Sequence, residues 1–499
     1  MAKVIVVGAG LGGLSAAARL GSQGHQVTVL EQADQIGGKL GLLRREGFAF
    51  DTGPSLLTLP AVYRDLFLKT GKPLEDEVNL TPVDPAAHYR FPSGLELDMP
   101  GVGAAWVSRA WTQALGEQAG QDWTAFHRRA AQIWDLTREP FLHSPLEGMR
   151  TLLGLARKPA DVRTVAPWLS LRGLGRKYLH TPEQQMFLDR YATYTGSDPR
   201  RAPAALATVP FVEHAFGSWY IPGGLWQLGT AVADRATSHG VKILTSSPVE
   251  RVLASPRVEG VRLESGETIP ADVVVSGVEA AHLYRDLLPG PEGKEGRRSV
   301  AKASPSLSGF VLLLALRGRT PDLRHHTVLF PDDYDTEFDH VFGTGKQSGK
   351  PSPVPDPTVY ISAPDDPALR PDDDHEAWFV LVNAPRHDPA AGMDWDAPGL
   401  AETYAQQILA VMARRGLDVR ERLLWKEIRT PADLERNTRS TGGSIYGSSS
   451  NGARSAFLRP ANRSPVPGLF LVGGSSHPGG GLPLVGMSAA IVAELIGKA

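Results

Sequence analysis

The first 31 residues constrain the fold more than any other stretch of the chain. Val4-Ile5-Val6-Val7 is short, apolar and β-branched, the pattern of a strand buried within a parallel sheet. Gly8-Ala9-Gly10-Leu11-Gly12-Gly13 comes next, placing G-x-G-x-x-G on Gly8, Gly10 and Gly13. Leu14, Ala17, Ala18 and Leu20 continue at helical spacing towards an end near Gly21 or Gly24, and residues 26–30 read as a second strand closed by Glu31. Strand, glycine turn, helix, strand and acid in this order make a dinucleotide-binding unit. Gly8 permits the tight turn, Gly10 lets a diphosphate approach the backbone, and Gly13 lets helix and strand pack closely. The helix N-terminus supplies N–H groups and a positive dipole end. Glu31, 18 residues after Gly13, suits the hydroxyls of an adenosine ribose and disfavours a 2′-phosphate.

The residues after Glu31 select the dinucleotide. Gly37-Gly38-Lys39 comes first, then Gly47-Phe48-Ala49-Phe50-Asp51-Thr52-Gly53-Pro54-Ser55. A nicotinamide dehydrogenase needs no second glycine pair here, whereas an extended FAD does, because its diphosphate and ribityl chain run along this segment. The pattern resembles the FAD-binding oxidoreductases of the amine oxidase and carotenoid desaturase superfamily. Two later blocks are similar to the same group. One is Trp219-Tyr220-Ile221-Pro222-Gly223-Gly224 with Pro248-Val249-Glu250-Arg251-Val252 downstream. The other is Gly473-Gly474-Ser475-Ser476-His477-Pro478-Gly479-Gly480-Gly481-Leu482-Pro483, close to the C-terminal signature of bacterial phytoene-type desaturases.

The resemblance implies an α/β chain: a Rossmann-type FAD-binding domain, glutathione reductase/amine oxidase-like, carrying an inserted α+β substrate domain. The cofactor domain is expected to be discontinuous, over 1–80, 215–290 and 425–499, with 81–214 and 291–424 forming the substrate and membrane-associating part. Cofactor contacts are expected at Gly8, Gly10, Gly13, Glu31, Gly38, Lys39, Pro54, Ser55, Gly473, Gly479 and Gly480. Val249 is expected to meet the adenine through its backbone.

Composition narrows the chemistry. The chain has no cysteine, which removes thiol nucleophiles, iron–sulfur clusters and Cys-ligated zinc. Its 52 Lys and Arg against 54 Asp and Glu leave no cationic excess for a nucleic-acid partner. No H-E-x-x-H and no G-x-S-x-G occurs, so no metal site or nucleophile elbow is expected. Flavin redox chemistry remains. An unactivated allylic carbon is a poor substrate for a base, so the resemblance implies hydride transfer to flavin N5, with a polyene cation then losing a proton. Tyr220, beside Trp219, is a candidate to face the polyene. His477, in the glycine-rich closure, is a candidate to bond the flavin or accept the proton.

Gly442-Gly443-Ser444-Ile445-Tyr446-Gly447, Arg459, Arg463 and Ser475 look more like late-pathway desaturases than phytoene desaturases. This implies action at C-3,4 of an acyclic or hydroxylated carotenoid, with oxygen or a quinone as electron acceptor. Phytoene desaturation, carotenoid cis–trans isomerisation, amine oxidation and a non-redox isoprenoid-binding role stay open as alternatives. Residues 149–179 mix Arg150, Arg157, Lys158, Arg163, Arg172, Arg176 and Lys177 with leucines, Trp168 and Tyr178. That pattern fits either a membrane-interface face or an ordinary helix pair over a core. No leader or spanning segment is read, so the expected location is cytoplasmic, peripheral to the membrane. The acidic runs 332–339 and 365–376 read as solvated loops.

Overall fold

The computed structural model describes residues 1–146, 158–347, 349–452 and 459–499. A five-stranded parallel sheet holds β1 (Lys3–Val7) at its centre, between β2 (Gln26–Leu30) and the strand Val273–Ser276. The strand Lys242–Leu244 flanks β2, and Leu469–Leu471, near the C-terminus, flanks Val273–Ser276. Both faces of β1 are covered, which is why its sequence is apolar without alternation. Val4 and Val6 pack under α1 (Leu11–Ser22) and the helices Trp226–Ser238 and Leu482–Ile496. Ile5 and Val7 face a three-stranded antiparallel unit through Val252, Val261 and Leu263.

A second sheet has seven strands in the order Leu423–Arg429, Ser308–Arg317, His375–Ala384, Val359–Ser362, His326–Leu329, Ala87–Arg90, Glu96–Met99. Its long strand Ser308–Arg317, second from one edge, is buried on both sides: Leu312, Leu314 and Leu316 meet the helix Leu400–Arg414, and Leu313 and Ala315 meet Phe48 and Phe50 of a hairpin. The hairpin belongs to the segment after Glu31, so the two sheets share a packed seam. Residues 425–429, grouped by the sequence with the dinucleotide-binding segments, instead belong to this sheet, where Arg429 pairs with Val311. At the other end, Tyr89, Phe91 and Phe330 pack beneath a helical layer through Trp111, Trp123 and Phe187.

Several charges read as solvated are interior. Glu337, in the helix Tyr334–Phe342, is fully buried and accepts from the Thr358 N–H at 2.6 Å and from Asn383 Nδ2 at 2.7 Å. Burial raises its pKa. Asp366 and Glu376 are also buried. A carboxylate recovers its hydration loss here because the fold brings donors to it, and those donors come from distant strands. Part of the basic stretch, 149–157, lies outside the described residues. Of the remainder, Arg172 is not at the surface: it pairs with Asp189 at 2.8 Å and Asp335 at 2.5 Å, while Leu171, Leu174 and Leu179 are buried. The 172–179 stretch is therefore the lid of a core, with Arg176 and Lys177 exposed.

Glu337→Ala strands the Thr358 and Asn383 donors and is expected to cost about 2–4 kcal/mol in urea unfolding. Glu337→Gln, which keeps one acceptor, should cost less; a midpoint unchanged in the alanine variant would show that Glu337 is not a structural acceptor.

Candidate FAD and substrate site

The glycine turn between β1 and α1 is built for close approach. Gly8 has φ +96°, a region that suits glycine. A Cβ on Gly13 would lie 2.2 Å from the Gly8 carbonyl oxygen, so helix and strand could not pack with any side chain there. A Cβ on Gly10, in contrast, would meet nothing within 4 Å. Gly10 is the N-cap of α1, and no side chain caps the helix and no acid lies in its first turn. The first-turn N–H groups and the dipole thus face a space bounded by backbone, which suits an anion.

Glu31 turns its carboxylate to the same loop. Its Oε2 accepts from the Ala9 N–H at 2.7 Å and its Oε1 from Ala33 N–H at 2.9 Å. Each oxygen keeps a lone pair for a ribose hydroxyl. The Glu31 N–H donates to Leu244 O, and its carbonyl accepts from Ser247, which sets Val249 two residues further on, half-buried at the start of its strand. Gly38, with φ +58°, comes so close to Gly10 that a Cβ there would lie 3.3 Å from the Gly10 Cα.

Lys39 points to the other end of the chain. Its Nζ donates to the Ser444 and Ile445 carbonyls at 2.8 and 2.7 Å, and burial lowers its pKa to about 8. Gly12, which the sequence reading passed over, marks a second tie: a Cβ there would lie 2.9 Å from the Gly473 Cα. The doubled glycine Gly12-Gly13 was the available signal. Gly473, at φ +103°, spends its N–H on Ser488 Oγ at 3.2 Å. Gly480 packs on Tyr446 and Gly479 on the Arg459 guanidinium, at 2.9 and 3.3 Å for a built Cβ. Arg459 is buried and holds the Tyr446, Ser448 and Gly474 carbonyls, with no carboxylate paired to it among the described residues.

Comparison with known proteins agrees with this geometry. Residues 11–496 match the family model of flavin containing amine oxidoreductases. This chain belongs to that family. It is similar to the 4,4′-diapolycopene oxygenase of a Methylomonas species, at 32% identity over 99% of this chain and 98% of that one. The hydroxyneurosporene desaturase of Rubrivivax gelatinosus is 33% identical, over 99% and 93%. The 1-hydroxycarotenoid 3,4-desaturase of a Flavobacterium species is 31% identical, over 99% of each chain. Among solved structures, putrescine oxidase shares the fold with a TM-score of 0.65 at 14% identity, over 99% of this chain and 98% of that one. The chain is an FAD-dependent oxidoreductase with a Rossmann-type flavin-binding fold.

The cradle fits FAD. In this flavoprotein the α1 N-terminus and Gly10 would hold the diphosphate, Glu31 the adenosine ribose, and the Gly38–Lys39 and Gly473–Gly481 segments would line the remainder. The sequence candidates for catalysis are differently disposed. His477 is buried, and its Nε2 lies 3.0 Å from the Ser144 carbonyl, which only a protonated Nε2 can satisfy. Burial lowers its pKa to about 4, so it is neutral at pH 7. Tyr220 donates its hydroxyl to Asp366 Oδ2 at 2.8 Å and packs edge-on against His325. Burial raises its pKa. Trp219 donates through Nε1 to the Phe216 carbonyl.

Sequence reasoning missed the polar junction between the two sheets. Ser55 Oγ lies 2.6 Å from Tyr360 Oη, which lies 2.8 Å from His326 Nδ1. Pro54, half-buried, precedes that serine. Asp51 accepts from the Leu225 and Trp226 N–H groups at 2.8 and 2.9 Å, fixing the start of the Trp226–Ser238 helix on the FAD segment. Arg190, Tyr89, Tyr194 and Tyr446 complete the junction. The spacing of Arg190 and Tyr194, one helical turn apart, was the sole local sign. Among the described residues, the triad His387, Asp394 and Asp396 has the spacing of metal ligands, but Arg436 takes both Asp396 oxygens at 2.9 Å.

Gly10→Val places a side chain in open space, so the variant should fold with a native unfolding midpoint but purify without the yellow flavin spectrum. A folded, FAD-loaded Gly10→Val protein would contradict the placement of the diphosphate.

Proposed function

We propose that this chain is a carotenoid desaturase that removes two hydrogens from an acyclic or hydroxylated carotenoid, at the C-3,4 bond. The observation that carries the reading is end-to-end similarity to the hydroxyneurosporene and 1-hydroxycarotenoid desaturases. The junction agrees with it. Removing a hydride from one carbon and a proton from its neighbour adds one conjugated double bond. Bound FAD supplies the two-electron acceptor, and reoxidation then needs oxygen or a quinone.

The chain's own part is placement and exclusion of water. Tyr446, which packs on Gly480 of the C-terminal closure, offers an electron-rich ring suited to a diffuse positive charge on a polyene. His477 anchors the segment that holds Ser144 against the C-terminal loop, and its Nε2 proton is committed there. The Tyr220–Asp366 bond fixes the strand Trp219–Tyr220 beside Leu57. These residues position; the departing proton is weakly held by a cationic polyene and needs no strong base.

The substrate dissolves in lipid, so we also propose that the enzyme docks on a membrane surface. No helix among the described residues is long and apolar enough to cross one. Val102, Trp106 and Phe216 are 55%, 58% and 42% exposed. Val102 lies beside Gly217 at 3.6 Å for a built Cβ, and Arg109 sits over the Trp106 ring. An aromatic, apolar spot with a cation at its edge suits the headgroup boundary.

Expression in cells making a 1-hydroxylated acyclic carotenoid should red-shift the extracted pigment and lower its mass by two hydrogens for each new double bond. Pigment unchanged with this and with hydrocarbon carotenoids would remove the desaturase reading. In flotation with vesicles containing anionic lipid, Trp106→Glu with Phe216→Glu should lower the partition coefficient by at least about a hundredfold, since burying two such side chains is worth about 3–6 kcal/mol. Equal binding would place the docking face elsewhere.

A further inference from the structure

The helix Pro182–Thr193 carries a buried cation whose charge no described ion pair answers. Arg190 is 7% exposed, and no described carboxylate lies within ion-pair distance of it. Its Nη1 donates to Tyr194 Oη at 2.5 Å, the one described hydrogen bond for a group with five N–H donors. The guanidinium lies 5.0, 5.3 and 6.0 Å from the ring centres of Tyr194, Tyr360 and Tyr89. Ring faces return only part of the desolvation of a buried cation. Among the described residues Glu213 is the acid that feels this charge, yet it makes no ion pair with Arg190: its Oε1 accepts from Tyr191 Oη at 2.6 Å and its buried Oε2 is without a partner. The guanidinium therefore keeps N–H donors for a ligand beyond its bond to Tyr194.

The same phenols lead to the cofactor segment. Tyr360 Oη reaches Ser55 Oγ, next to Gly53-Pro54, and Tyr446 packs on Gly480 of the C-terminal closure. A ligand atom bonded to Arg190 is thus held at the edge of the FAD site. A hydrocarbon end would leave the cation unanswered. An anion would share the pocket with Glu213. A neutral oxygen answers the guanidinium, and the phenol protons of Tyr194 and Tyr360 can turn to the same atom.

We propose that Arg190, with Tyr194 and Tyr360, binds a hydroxyl or carbonyl oxygen on the end group of the carotenoid. This contact selects an oxygenated end and brings the C–C bond nearest that end to the cofactor, which deepens the C-3,4 reading and rests on the desaturase assignment. The residues act on substrate choice and on which bond reacts.

The test compares FAD-loaded wild type, Arg190→Gln, Arg190→Lys and Tyr194→Phe on three acyclic substrates of equal length: 1-hydroxylated, carbonyl-ended and plain hydrocarbon. Flavin content and unfolding midpoint establish that each variant is folded. Wild type should favour an oxygenated end in kcat/KM. Arg190→Gln should lower that preference by about ten- to a hundredfold, chiefly through KM, the worth of a charge-assisted hydrogen bond. Arg190→Lys should restore part of it, and Tyr194→Phe should lose less than Arg190→Gln. The hydroxyl and carbonyl arms show which oxygen is taken. A preference unchanged in Arg190→Gln, or an equal fall for all three substrates, overturns the proposal while leaving the desaturase reading intact. Wild type inert towards every carotenoid overturns both.

Discussion

The two ends of the chain meet through backbone, and the rest of the site depends on that contact. Gly12 on the first turn of α1 and Gly473 after the last strand approach so closely that a single Cβ would separate them. Lys39 ties the segment after Glu31 to the Ser444 and Ile445 carbonyls. Dispersion and hydrogen bonds at such a crossing are short-ranged, so the glycines there cannot be exchanged for alanine without moving a strand or a helix. The crossing lies two residues from Gly10, and the sheet order that places Leu469–Leu471 two strands from β1 makes it possible.

Beyond that crossing, polar groups are paired by partners from far along the chain. His477 is matched to Ser144, Tyr220 to Asp366, and Tyr360 to Ser55 and His326. The Tyr360–Ser55 pair joins a segment after Glu31 to the seven-stranded sheet, while His477 ties the C-terminal loop to Ser144 and Tyr220 reaches Asp366, four residues beyond the strand Val359–Ser362. The junction beside the glycine segments is thus hydrogen-bonded and lined with aromatic rings. That arrangement suits a reaction in which the electron acceptor is the cofactor and the protein supplies alignment and dryness.

The features legible in the sequence were local. β1, the glycine turn, α1, β2 and Glu31 are contiguous, and each carries its own signature, so the dinucleotide unit was legible from residues 4–31. The roles of single polar residues were not legible. Glu337 lies in an acidic run yet is fully buried, and Arg172 lies in a basic run yet is an internal ion pair. Charge runs report composition, whereas burial is decided by which distant strand arrives with donors. Arg190 had no motif around it beyond Tyr194 on the next turn, and that no described carboxylate forms an ion pair with it is a property of the packed junction alone.

The central claim is that one FAD is held jointly by the N-terminal glycine turn and the C-terminal glycine loop. Hydrogen–deuterium exchange of the apoprotein, before and after reconstitution with FAD, tests it most directly. FAD should slow exchange together in peptides covering residues 8–13, 37–39 and 473–481. Protection confined to residues 8–13, with the C-terminal loop exchanging as before, would contradict it.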